Sequence, residues 1–268
     1  MFTASSNTLI GVGVSAVKDG FYQSGSGYKF KSVESGKYQP WNPTIELVLR
    51  KKINPVPMYA KNVNHLIFPS LTEPVGYDFL VGDWVDPYGK GKVKDLVFTF
   101  KLDYEKEVKV WNPHHGEQTE YKSEYQIEIK MPNKEDGFCP ITQEKIFPES
   151  EFKLPYEAPE EGYVEKLIFT SDAEKNIKSL EPDADNYFIR IRTELDENGK
   201  VKKACYGKFL FSDRLNRIGY SKKIGGKCIV SFVYYVNPDG TRNIEFDPEK
   251  NLFDKRKLQR SGEDVSNP

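Results

Sequence analysis

Cysteine and alanine are scarce and neither sign of charge is in surplus: the 268 residues hold three Cys and seven Ala, with 39 Lys+Arg against 40 Asp+Glu. Three thiols, Cys139, Cys205 and Cys228, cannot build a disulfide framework, and their odd number leaves at least one free. They are expected as buried thiols packed as small hydrophobes, with a Cys205–Cys228 bridge between neighbouring strands or a catalytic thiol as the alternatives. A net charge of −1 offers no global positive field to draw in phosphates, so no nucleic-acid partner is expected. No apolar run reaches the roughly 18 residues of a membrane-spanning helix, so no transmembrane segment is expected either. Few alanines among abundant β-branched and aromatic residues argue against a helical bundle. Between Met1 and Val17 there is no basic start, and the apolar stretch Leu9–Val14 is too short for a secretion signal. The expectation is a periplasmic or extracellular protein whose export signal is absent from this sequence, with a cytoplasmic one as the alternative.

Complete catalytic and cofactor signatures are missing as well. His114-His115-Gly116-Glu117 with Glu120 is the densest set of metal-ligand types, yet adjacent residues on a strand face opposite ways and His65 is far off in sequence. An exposed turn without a metal is expected there. Cys139-Pro140 lacks a second nearby cysteine, so a zinc tetrahedron cannot be completed. Glu181-Pro182-Asp183-Ala184-Asp185-Asn186 lacks the glycine and closing glutamate of a calcium loop. Gly11-Val12-Gly13 and Gly25-Ser26-Gly27 lack the Lys-Ser/Thr pair of a phosphate loop, and no G-x-S-x-G elbow occurs. No metal and no cofactor are expected.

What the chain does have is aromatic mass, 17 Phe and 16 Tyr, and period-2 alternation. Leu96, Phe98, Phe100 and Leu102 alternate with polar or smaller neighbours, as do Tyr125, Ile127, Ile129 and Met131. Shorter sets are Ile45, Leu47 and Leu49, and Ile189 with Ile191. Cys228–Val236 is apolar on both faces, which places it mid-structure. Hairpins are predicted at Asn198-Gly199, between 187–195 and 201–211, and at Asn237–Gly240, between 229–236 and 241–246. The one helix predicted runs from Asp172 to Leu180, capped by Ser171 or Asp172, with Pro182 beyond it. Trp-Asn-Pro occurs at 41–43 and 111–113, read as a strand end followed by a turn, with a duplicated unit as the alternative.

These elements predict an all-β fold, a mainly antiparallel β-sandwich with at most one or two short helices. Residues 1–16 read as a flexible segment and 17–253 as a single domain. The proline-rich stretch 132–162 is a surface excursion of that domain, or else a division between two β domains. Residues 254–268 read as a loose charged tail.

Two charged groups stand out. Arg190 and Arg192 share a strand face, with Glu194 beyond and Lys202, Lys203 and Lys208 on the next strand. This reads as a solvated face with charges paired across strands, an anion patch being the alternative. Asp83, Trp84, Asp86 and Tyr88 lie in a turn-rich segment with Gly82, Pro87 and Gly89. If a glycan binds, Trp84 and Tyr88 are the expected stacking surface, with Asp83 and Asp86 as hydrogen-bonding partners. The functional expectation is a non-catalytic binding or structural module, its ligand a glycan or a protein, at the cell envelope or exterior. The alternatives are a carbohydrate-active hydrolase using an Asp/Glu pair and a protein–protein assembly subunit.

Overall fold

The computed structural model describes residues 11–40, 43–142, 146–172, 175, 177–211 and 218–268. The chain opens with two small hairpins, β1 (Gly11–Ala16) with β2 (Ser24–Lys29) and β3 (Ser32–Glu34) with β4 (Lys37–Gln39). The next strands are β5 (Val56–Ile67), β6 (Val75–Asp78), β7 (Asp83–Trp84), β8 (Leu96–Asn112), β9 (Gly116–Lys130) and β10 (Gly137–Pro140). Then follow β11 (Lys166–Asp172), β12 (Ile177–Glu181), β13 (Asn186–Leu195), β14 (Val201–Leu210) and β15 (Ile218–Ser221). The last elements are β16 (Lys227–Asn237), β17 (Phe246–Asn251) and a helix, α1 (Lys255–Ser261).

The strands form a β-sandwich. One sheet has seven strands in the order β10-β13-β14-β16-β5-β17, with β15 added to β16; the other has six, in the order β12-β11-β9-β8-β6-β7. Every pairing within them is antiparallel except β17 on β5. Between the sheets, the alternating apolar sets do what their period predicts. Phe98, Ile127, Ile129, Leu167 and Phe169 meet Ile189, Phe209, Phe232 and Val236, all essentially without solvent contact. Rings pack against one another there, Phe79 tilted on Tyr234 at 4.6 Å and Phe209 stacked on Phe232 at 4.8 Å.

The seven-stranded sheet is covered on its other face too. β16 sends Phe232, Tyr234 and Val236 inward and Val233 and Tyr235 outward; β14 sends Phe209 inward and Tyr206, Lys208 and Leu210 outward. Ile141, Leu154 and Ala158 of the proline-rich excursion pack on that outer face with Ile244, Phe246 and Val265. Gly207 lets β14 and β16 lie close, since a Cβ there would run into the carbonyl of Tyr235.

Several expectations are corrected. Of the predicted helix 172–180, Ala173, Glu174 and Asn176 lie outside the described residues, and Ile177–Glu181 is the strand β12, paired with β11. Its alternation buries Leu180 in the core. The turn at 237–240 forms, but the predicted return strand 241–246 makes no ladder with β16; only its last residue, Phe246, enters a strand, β17, parallel to β5. Ile45, Leu47 and Leu49 alternate in burial without joining a ladder. Residues Gly11–Ala16 and Ser24–Lys29, the two glycine-rich scraps, simply face one another across a hairpin. The tail is not loose. Asp254 caps α1 by accepting from the backbone N–H groups of Arg256 and Lys257, Gly262 closes it at φ 72°, and Leu258 and Val265 are buried.

β8 and β9 outrun the sheet. β6 covers only Leu96–Phe98 of β8 and β11 only Glu124–Lys130 of β9, so beyond them, among the described residues, the two strands form a ladder with each other alone. The resulting arm is braced at Glu105, which accepts from Tyr220 Oη at 2.9 Å and pairs with Lys222 at 3.1 Å. At its tip Asn112 Oδ1 accepts from the His114 N–H at 2.9 Å, and Trp111 is 76% exposed. The partner motif begins at Trp41 and Asn42, which lie outside the described residues.

Candidate functional site

The segment favoured on sequence grounds is a structural turn. Tyr77 pairs with Trp84 across β6 and β7, which directs the indole inward, where it is 6% exposed. Its neighbours are Tyr77, Phe98 and Phe68, with ring centroids at 5.7, 5.5 and 5.9 Å. A face covered this way cannot stack on a sugar. The Asp83 carboxylate accepts from the N–H groups of Trp84 and Lys90 at 2.8 and 3.0 Å, so it closes the turn. Asp86 and Tyr88 are exposed. The four residues share one loop, but they do not converge on a binding face.

The arginines of β13 are not a solvated pair either. Arg192, at φ 55° beside a bulge, bonds Asp95 through Nε and Nη2 and Asp78 through Nη2, each at 2.8 Å. Burial pushes the Asp78 carboxyl up, but the N–H groups of Lys92, Val93 and Val81 and the Arg192 charge outweigh it and hold it below its ordinary value. Burial dominates at Asp95, whose carboxyl is raised despite the arginine. Arg190 donates to the carbonyls of Glu135 and Glu160 and stacks on Tyr163 at 4.6 Å. Every charge here is matched, so the cluster ties loops to the sheet and leaves no vacancy for a ligand.

Cys139, Cys205 and Cys228 are free thiols. The β14–β16 register runs from Tyr206 opposite Asn237 to Leu210 opposite Val233, which leaves Cys228 well away from Cys205 and rules out the bridge. Burial pushes both thiols up, the opposite of what a catalytic thiolate needs. Among the described residues no three His, Cys, Asp or Glu side chains gather in a way that could hold a metal.

Sequence reasoning missed the outer face of the seven-stranded sheet. Lys208 shares that face of β14 with the exposed Lys202, but at position 208 the excursion covers it and leaves it 2% exposed. Its ammonium lies over the ring of Tyr235, its cross-strand partner on β16, at 4.1 Å, and 5.2 Å from the ring of Phe152. Phe152 also meets Arg50, whose guanidinium sits 4.3–4.5 Å from Phe147, Phe152 and Tyr156 and donates to the carbonyls of Phe152 and Leu154. Arg50 is thereby satisfied. Lys208 has no hydrogen bond or ion pair to any described residue. Burial first, then the Arg50 charge, push its amine down to about 7.

Lys208 lines a cavity of about 430 Å³. Leu154, Leu210, Phe211, Val233 and Val265 form apolar walls, while Asn62, Asn186 and Asp264 add polar groups. Glu151, Lys153, Ser266 and Asn267, also in its lining, are exposed, so its mouth meets solvent. Tyr235 donates to the Asn267 carbonyl at 3.2 Å and holds the residues after α1 across one side. Asp264 Oδ1 is buried without a hydrogen-bond partner. A pocket with apolar walls and one buried, unmatched cation is an arrangement able to hold a small molecule. Comparison with known proteins brings no match: no family model fits the chain, and neither a curated protein nor a solved structure is similar to it.

Proposed function

We propose that the protein is a non-catalytic β-sandwich binding module whose ligand is a small amphipathic organic molecule held in the Lys208 cavity. The unmatched Lys208 carries the reading. A buried amine with no acceptor costs several kcal/mol when charged, and a polar ligand head group supplies the missing partner. About 430 Å³ lies within the range of small-molecule pockets, and the apolar walls suit a short hydrocarbon body. A glycan at the Asp83–Tyr88 loop is the weaker form of the proposal, because Trp84 offers no stacking face. Placement at the cell envelope or exterior belongs to the same proposal and rests on sequence alone.

The test is titration of wild type and Lys208→Met with hexanoate, hexanol and a soluble glycan panel, followed by NMR and thermal shift. Hexanoate or hexanol binding to wild type, weakened roughly tenfold or more in the variant, is expected from the loss of a charge-assisted hydrogen bond. Binding of glycans alone, or of no probe, overturns the reading. The assembly-subunit reading keeps one specific observation in its favour, the β8–β9 arm with Trp111 at its tip. The oligomeric state of the chain with and without that arm decides it.

A further inference from the structure

We infer that Lys208 captures a small aldehyde or ketone inside the cavity, as a reversible imine on its Nζ. The inference rests on the cavity being the ligand site. An imine needs an amine with a free lone pair, room for a carbonyl beside it, and a way for water to leave. Lys208 is the one lysine buried among the described residues, and no described residue accepts from or pairs with its Nζ. The rings of Tyr235 and Phe152 hold the amine at the wall of the cavity, whose mouth reaches solvent at Glu151 and Ser266. Desolvation beside a second cation, here Arg50, is the combination that keeps a lysine neutral and nucleophilic. At pH 7 about half of such amines are uncharged, against about one in 2,500 for an ordinary surface lysine.

The step balances without any oxidant, reductant or further reactant. The Nζ lone pair forms a bond to the carbonyl carbon as the C=O π pair moves to oxygen, and one proton passes from nitrogen to that oxygen. The carbinolamine then loses its hydroxyl together with the second nitrogen proton as water, leaving C=N. Water entering through the cavity mouth carries those protons. Hydrolysis reverses the sequence, so the product is a held ligand.

Hexanal with cyanoborohydride tests this, since reduction freezes the imine as a secondary amine that peptide mass mapping locates. Wild type at pH 7 should take up one hexyl group at Lys208, at least about a hundredfold faster than any exposed lysine, and hexanol should protect it. Lys208→Met and Lys208→Arg, each first shown folded by circular dichroism, should lose that label and keep only the slow surface background. Labelling of surface lysines with Lys208 unmodified overturns the inference. If hexanol or hexanoate still binds in that case, the cavity reading stands without the imine. If neither binds, both fall.

Discussion

Trp84 and Trp111 show how little a residue type says about its role. Trp84 fills the space between the sheets, so Trp84→Ala should cost about 3–5 kcal/mol as a cavity is left behind. Trp111 stands in solvent at the arm tip, and Trp111→Ala should change stability by no more than about 0.5 kcal/mol. Urea unfolding of the two variants reads both values, and equal losses would refute the assignment. Lys208 carries a pH signature. Its amine is pushed down to about 7 in the folded chain but keeps about 10.5 when unfolded. Between those values the unfolded state binds more protons, so the stability linked to Lys208 is lowest below pH 7 and rises as pH climbs toward 10.5. The groups around the amine are Arg50, Glu151, Lys153, Tyr235 and Asp264, and all of them persist in Lys208→Met. Wild type should therefore gain on the order of 2 kcal/mol relative to that variant between pH 7 and pH 9. Parallel pH profiles of the two would show that the lysine is not titrating in this range.

Among the elements, β8, β9, β13 and β16 were readable because each buries one or both faces regularly, and the period survives in the sequence. The helix α1 was not. It buries a single Leu258, too few apolar residues to mark a period, although Asp254 and Gly262 stand in the chain as its start and stop. β12 misled for the opposite reason, since Ser171 and Asp172 look like a helix cap while Asp172 in fact accepts from the Lys175 N–H in the turn after β11. The arm raises a different issue, because past residue 103 of β8 and before residue 124 of β9 its outer edges pair with no described residue. Lys106, Glu107, Lys109, Glu117, Glu120 and Lys122 line it, and charges on an open edge resist the addition of another strand. The screening length falls from about 10 Å at 0.1 M salt to about 3 Å at 1 M. Light scattering should then show association that grows with salt and disappears when Asp103–Ser123 is replaced by an Asn-Gly turn. Salt-independent monomers would remove the assembly reading.

At the scale of the molecule, the two-layer architecture could be read from local pattern, whereas the candidate site could not. Lys208 looks like any surface lysine of a hairpin strand until segments about fifty residues before it and after it fold over the outer face of its sheet. Arg50 comes from still farther away. No window of sequence contains the cavity, because its floor, walls and rim come from residues 62 and 186, the stretch 146–154, the stretch 208–211, residues 233 and 235, and the residues after 263. Those parts are also tied down very differently. The floor strands β14 and β16 are paired on both sides, while among the described residues the cover forms no ladder with them and is tied by two bridges, Ser24 to Ser150 and Glu157 to Asn243, and by the Arg50 bonds to the Phe152 and Leu154 carbonyls. Regions held by few backbone bonds open far more often than the whole chain unfolds. Amide hydrogens of the cover are therefore expected to exchange ahead of those of the floor strands, giving a guest a way in and out that leaves the sheet intact.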